Sequence, residues 1–114
     1  MAQNNQTLFD NPVALTILSE ATTVATGNPG RSMNQGKQCV EAHGTTSSGS
    51  GAASISIEVS NNGTSWITAG TIGLTLGTTQ TSDGFVMDAP WIYVRANVVS
   101  ISGTGASVSV IISA

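Results

Sequence analysis

The sequence predicts an all-β protein, an antiparallel β-sandwich of jelly-roll type with about eight short strands. Short runs of Val, Ile and Ala alternate with Ser and Thr, which is the period-two pattern of strands that bury one face. Clusters of Gly, Asn and Pro separate these runs roughly every 8–12 residues, as turns do in sandwiches. No stretch shows a convincing helical period.

The length of 114 residues suits one domain with its own core. We assign residues 1–11 to a polar N-terminal arm and residues 12–114 to a single β-sandwich. Leu8 and Phe9 are the only large apolar side chains of the arm and are candidate partner-binding residues. The arm is too polar to fold alone, so either a neighbouring subunit orders it through these two side chains or it is a frayed terminus.

The first half of the chain predicts strands that are separated by polar turns. Residues 13–19 form a mostly buried strand; Pro12 would also suit the first turn of a helix, but the β-branched residues favour the strand. Residues 27–30, Gly-Asn-Pro-Gly, form a turn, and residues 37–43 form the next strand. Residues 45–51 are expected to be a flexible Ser/Gly tip that buries nothing.

The second half of the chain alternates more regularly. Residues 54–60 place three β-branched side chains on one face, and Asn61-Asn62-Gly63-Thr64 then predicts a hairpin turn, because Asn and Gly accept positive φ. Glycines interrupt the following stretch, which we expect to break into short pieces. Residues 84–87 and 91–101 read as strands, and residues 102–105 turn the chain into a last strand. Its inward residues are Ala106, Val108, Val110 and Ile112.

Composition excludes several classes of partner. With three Lys or Arg against six Asp or Glu, the chain has too few cations to release counterions from a nucleic acid. No apolar run approaches the roughly 18 residues of a membrane span, and no signal peptide is visible, so we expect no membrane association and assembly in a cytoplasm. The single cysteine excludes an intrachain disulfide.

The same shortage of titratable groups predicts no catalytic residue, no cofactor and no metal. Cys39 and His43 share a strand face, but two ligands do not complete a zinc site, so we expect a buried, inert cysteine and a surface histidine. Glu41 and Glu58 are too isolated to suggest the carboxylate pair of a glycosidase.

Two aspartates and a tryptophan have structural interpretations. Asp83 and Asp88 lack the dense run of oxygen ligands that calcium requires, and such residues are typical of turns. Trp66 directly follows the predicted hairpin turn, so we expect it to plug one end of the core.

Trp91, Tyr93 and Arg95 are the candidate partner-binding residues of the sheet. Strand alternation places them opposite Ile92 and Val94. Aromatic residues with Arg are enriched at interface hot spots, and aromatic rings also form platforms on which sugars stack. The alternative is a central strand that is buried on both faces, in which case these side chains belong to the core.

Three segments carry a resemblance to small structural proteins of tailed bacteriophages: ISIEVSNNGTSW at 55–66, APWIYVRANV at 89–98 and SGTG at 102–105. Over residues 54–113 the pattern is similar to their jelly-roll sandwiches, and in size and composition the chain most resembles the capsid decoration, or cement, proteins. This resemblance transfers no individual contact residue.

The resemblance implies a non-enzymatic virion protein. Such a protein binds the major capsid protein on the outside of the phage head as a homo-oligomer, a dimer or trimer, and stabilises contacts between capsid subunits. The alternative is a tail-associated carbohydrate- or receptor-binding β-sandwich module, which would use Trp91 and Tyr93 as exposed, coplanar rings.

Overall fold

The computed structural model describes residues 14–27, 29–31, 37–88 and 91–113. The predicted arm, residues 1–11 with Leu8 and Phe9, lies outside these residues. Nowhere in the part of the chain that the structure describes is there a helix with the length and apolarity that a membrane crossing demands.

The described residues form nine β-strands and no helix, which confirms the all-β prediction. The strands are β1 (Ala14–Ala21), β2 (Ala25–Thr26), β3 (Gly30–Arg31), β4 (Lys37–Thr45), β5 (Ser48–Ser60), β6 (Ile67–Leu76), β7 (Thr81–Asp88), β8 (Tyr93–Thr104) and β9 (Ser107–Ser113).

The strands pair in two antiparallel sheets, one in the order β1-β9-β4-β7 and the other in the order β2-β8-β5-β6, with β3 also paired to β8. The pairing follows the chain inward from its ends: β1 pairs with β9, β2 and β3 with β8, β4 with β7, and β5 with β6. A long antiparallel ribbon folded over on itself in this way is a jelly roll. The predicted jelly-roll sandwich is therefore confirmed.

Strand alternation builds the core between the two sheets. The inward side chains of β5 are Ile55, Ile57 and Val59, and all three are at most 1% exposed. Burying an aliphatic side chain of this size contributes about 1.5–3 kcal/mol relative to leaving it exposed. The predicted inward residues of the last strand are also buried, namely Ala106, Val108, Val110 and Ile112.

The predicted flexible tip at residues 45–51 is wrong, because β4 ends only at Thr45 and β5 begins at Ser48. Thr46, between the two strands, is buried and donates a hydrogen bond from Oγ1 to the carbonyl oxygen of Gly49. A Cβ at Gly51 would collide with the carbonyl oxygen of Ser102. Glycine occurs here because two backbones approach closely, and not because the chain is loose.

The predicted breaks in the stretch after Trp66 are also wrong, since β6 runs without interruption through Gly70 and Gly73. At Gly70 a Cβ would lie 2.7 Å from Cζ of Phe85, so the missing side chain leaves room for that ring against the core. At Gly73 a Cβ would meet no atom within 4 Å. The two glycines therefore differ in their surroundings although they look alike in the sequence.

Candidate functional site

The candidate site lies at the end of the sandwich where β5 turns into β6. Residues 61–66 make this turn, and Ser60, just before them, pairs with Tyr93 at the start of β8. Tyr93 also pairs with Arg31 of the short strand β3. One end of the five-stranded sheet therefore gathers the turn, an aromatic residue and the backbone of a basic residue.

The facing sheet contributes Lys37 and Asp88, which pair with each other at the ends of β4 and β7. Arg31 and Lys37 are six residues apart in the sequence, and Asp88 and Trp91 are three apart, so these ends of the two sheets lie close together. We call this region the aromatic end; it comprises Arg31, Lys37, residues 61–66, Asp88 and residues 91–93.

Most Trp, Tyr, Lys and Arg residues of the chain have their backbone positions at the aromatic end. The chain has three Lys or Arg, two Trp and one Tyr. All of them lie in this region except Arg95, which is the next outward residue of β8 after Tyr93. The described carboxylates away from it are Glu20, Glu41 and Asp83. A distribution of this kind makes the two ends of the molecule chemically different.

An ion pair and a cation–π contact organise the outer face of the sheet beside this end. Glu58 and Arg95 are opposite each other in the register of β5 and β8. The Nε of Arg95 donates to Oε1 of Glu58 at 2.6 Å, and the guanidinium carbon lies 4.1 Å from the ring centroid of Trp66. The Arg95 and Glu58 side chains are only 26% and 15% exposed. We call Glu58, Trp66, Tyr93 and Arg95 the outer-face cluster.

Hydrogen bonds within the turn hold the outer-face cluster in place. The Oγ of Ser60 accepts the backbone N–H groups of Asn62 and Gly63 at 3.2 and 2.9 Å. The Oδ1 of Asn62 accepts the next two N–H groups, both at 2.8 Å. Gly63 has a φ of 75°, as the predicted turn requires, and a Cβ there would lie 3.6 Å from the Tyr93 ring. The turn and the aromatic ring therefore pack against each other.

The predicted faces of β8 are correct for Tyr93 and Arg95 but wrong for Trp91 and Ile92. Trp91 packs against the core, whereas Ile92 is 43% exposed. The reason is that β8 begins only at Tyr93, so the two residues before it do not follow strand alternation. Among the predicted residues, Tyr93 and Arg95 therefore form the outward site, and Trp91 belongs to the edge of the core.

The sequence interpretation missed Glu58 and misplaced Trp66. Glu58 was expected to be isolated, and Trp66 was expected to be a core plug; instead Trp66 lies beneath Arg95 on the outer face. One signal was available, because Glu58 and Arg95 both occupy polar positions of otherwise apolar strands. The cross-strand register that joins them, however, is not visible in either strand alone.

Cys39 and His43, two further candidate residues, lie on β4 of the opposite sheet, away from the outer-face cluster. Cys39 is exposed, so its predicted burial is wrong; Val40 and Ala42 take the inward positions of β4 and leave Cys39 on the outer face. His43 is half-buried on the same face and pairs with Ser109. Among the described side chains, no three His, Cys, Asp or Glu residues lie close enough to hold a metal ion.

Asp83 lies within β7 and not in a turn, but it accepts a local backbone N–H as expected. Its Oδ1 accepts the backbone N–H of Gly84 at 2.8 Å. In the outer-face cluster, Arg95 is likewise already paired with Glu58 and covers Trp66. The arrangement as described offers a rigid surface of rings and paired charges, which suits contact with another surface.

Comparison with known proteins shows the fold. No protein-family model and no curated protein matches the chain. The solved structure of the SPBc2 prophage-derived protein YomS is similar with a TM-score of 0.59 and 20% identity, over 91% of this chain and 94% of YomS. The PBSX exported protein XepA is similar with a TM-score of 0.54 and 15% identity, over 89% of this chain but only 36% of XepA.

Proposed function

We propose that this chain is a non-enzymatic structural protein of a phage virion, a capsid decoration protein. In this proposal it binds the outside of the head through its aromatic end and stabilises contacts between copies of the major capsid protein. Support for a phage origin comes from YomS, which is prophage-derived by name and shares the fold over nearly the whole length of both chains. The likeness supports the fold directly and the phage role by inference.

The observation that carries the proposal is the concentration of Trp66, Trp91, Tyr93 and Arg95 at or beside one end of an otherwise Ser-, Thr- and Gly-rich sandwich. Side chains of these types supply most of the energy of protein interfaces, since they bury large areas and make directional polar contacts. Arg95 is already held by Glu58 and Trp66, so little side-chain entropy is lost when a partner covers it. The outer-face cluster is therefore preorganised for binding.

The position at which the chain enters the sandwich supports the same surface. Ala14, at the start of β1, pairs with Ser113, which in turn pairs with Cys39, close to Lys37. The chain thus enters β1 at the aromatic end. In this proposal Leu8 and Phe9, the other predicted partner-binding residues, which precede that point in the sequence, would contact the same partner.

The ring geometry favours a protein partner over a sugar. A stacking platform needs flat, exposed rings that lie side by side. Here Arg95 covers Trp66, and Trp91 packs against the core, while Tyr93 is half-buried beside the turn. The tail-associated carbohydrate-binding alternative therefore gains no support from these side chains.

The test is binding of the purified chain to heads that lack it, prepared from the phage that encodes it and measured by co-sedimentation. We expect Tyr93→Ala to weaken binding by about tenfold or more, as loss of a hot-spot ring does. Val24→Ala is the matched control, because Val24 is 63% exposed and lies between β1 and β2 at the other end. It should bind like the unaltered chain.

A second variant tests the N-terminal contribution. Deleting residues 1–11 should weaken head binding while the circular dichroism spectrum stays that of a β-protein. Absence of the chain from purified virions, together with no binding to heads, would overturn the proposal. Equal binding by the Tyr93→Ala and Val24→Ala proteins would show that the aromatic end is not the contact surface.

A further inference from the structure

The strand β6 is an edge strand without charge or proline, and the bulge that it carries, between Thr68 and Gly70, lies near its start and away from Gly73. It is the last strand in the order β2-β8-β5-β6, so within the described residues one of its sides has no strand beside it. From Val59 to Ser82 the sequence contains no charged residue and no proline. Natural edge strands are usually protected by Lys, by Pro, by bulges or by a covering segment, since open N–H and C=O groups pair readily with another strand.

We propose that β6 pairs antiparallel with β6 of a second copy of this chain, across a two-fold axis at Gly73. Such pairing would join the two five-stranded sheets into one continuous sheet. It is independent of capsid binding and concerns a different surface, the side of the sandwich and not its aromatic end.

The absence of charge argues for a second copy as the occupant. A two-fold axis places only the residues on it next to their own counterparts, so a charge at the axis meets a like charge. The whole chain carries a net charge of −3, yet none of that charge lies on β6. The strand is thus the part of a net-negative protein on which two copies can meet without repulsion.

The sequence of β6 is also complementary to itself in this register. With Gly73 opposite Gly73, Thr71 lies opposite Thr75, and Ile72 lies opposite Leu74. The two threonines are exposed and the two aliphatic residues are buried, so each pair joins side chains on the same face. Threonine pairs across strands can hydrogen-bond, and such matched cross-strand pairs stabilise sheets.

The face of the sheet at Gly73 is open, so a side chain introduced there would meet no atom of its own copy. No atom lies within 4 Å of the position of a Cβ at Gly73. The other edge on this side of the sandwich, β7, suits self-pairing less well, since it carries Asp83 and Asp88. Edge pairing of one strand buries a small area, so we expect a reversible dimer that depends on concentration.

The experiment is sedimentation equilibrium of the full chain over a range of concentrations, with paired charge variants. Gly73→Glu and Gly73→Lys each place like charges on the axis and should each weaken dimerisation tenfold or more. An equimolar mixture of the two variants should restore it, because opposite charges then face each other. Ser100→Glu, an exposed position on β8 of the same sheet, is the matched control and should dimerise like the unaltered chain.

Two further measurements make the outcome decisive. The dimer should persist in Cys39→Ser, which excludes a disulfide through the exposed cysteine. Backbone amides of β6 should gain protection from hydrogen exchange as the concentration rises. A chain that stays monomeric, or a mixture of the Glu and Lys variants that fails to recover dimerisation, would overturn the proposal. Either result leaves the head-binding test unaffected, since that test measures a different surface.

Discussion

The guanidinium group of Arg95 contacts two different neighbours, one through its charge and one through its flat face. Its Nε donates to Glu58, and its guanidinium plane covers Trp66. Exposed ion pairs contribute about 0–1 kcal/mol, and exposed cation–π contacts contribute about 0.5–1 kcal/mol. Both contacts are partly shielded from water here, so their contributions should lie toward the upper end of those ranges.

We predict a measurable coupling between Arg95 and Glu58. A double-mutant cycle of Arg95→Ala and Glu58→Ala, measured by urea unfolding, should give a coupling free energy of about 1 kcal/mol. Arg95→Lys should retain only part of it, because an ammonium group lacks the planar surface that contacts Trp66. Val86→Ala with Ser109→Ala, a pair two strands and four register positions apart on the other sheet, is the control. Strictly additive effects for Arg95 and Glu58 would contradict the prediction.

The turn between β5 and β6 is the element that positions the outer-face cluster. Ser60 and Asn62 accept four backbone N–H groups, which a loop of this kind would otherwise leave to water. The ring of Tyr93 packs beside this turn, and Trp66 is the last residue of the turn. Stability and binding geometry are therefore linked through this one short segment.

We predict that Asn62→Ala lowers the free energy of unfolding by about 1–2 kcal/mol, since the N–H groups that Asn62 Oδ1 accepts lose their partner. Asn62→Asp should cost less, because a carboxylate oxygen can accept the same two bonds. Thermal unfolding of the two proteins under identical conditions measures the difference. The neighbouring Asn61→Ala provides a comparison, because its side chain accepts only the Ile92 N–H, at 3.3 Å. Equal loss from Asn62→Ala and Asn62→Asp would argue against the acceptor role.

The strands and the turn could be predicted because their signals are local. Alternation of Ile55, Ile57 and Val59 depends on neighbours two residues apart, and an Asn-Gly turn depends on the φ that its own residues accept. The glycines were not predictable for the opposite reason. Whether Gly51 loosens the chain or allows Ser102 to approach is decided by a strand distant in sequence, which local patterns do not report.

The site was only partly predictable on the same grounds. Tyr93 and Arg95 lie on one strand, so alternation placed them together. Glu58 and Trp66 lie on or beside other strands, and they meet Tyr93 and Arg95 only because of the register in which β5 pairs with β6 and with β8. A bulge between Ile57 and Glu58 shifts the pairing of β5 with β6 by one residue. Residues that act within one element were therefore found, and residues that meet across elements were not.

The jelly-roll topology pairs some strands that are close in sequence and others that are far apart in sequence. The hairpin of β5 and β6 joins residues that are neighbours in the chain, whereas β1 and β9 join Ala14 to Ser113. Loop closure entropy grows as the logarithm of length, so closing a loop ten times longer costs about 2 kcal/mol more. The inner hairpin and its neighbours should therefore form before the outer pair during folding.

This order predicts opposite kinetic effects from the same substitution at two buried sites. Ile57→Val in β5 and Ile17→Val in β1 each remove one methylene from side chains that are 0% and 3% exposed, and each should cost about 0.5–1.5 kcal/mol. Ile57→Val should mainly slow refolding, because its contacts are already present in the transition state. Ile17→Val should mainly speed unfolding. Stopped-flow chevron plots in urea, at concentrations below any self-association, distinguish the two. Ile17→Val slowing refolding more than Ile57→Val does would mean that the outer strands, and not the central hairpin, nucleate this jelly roll.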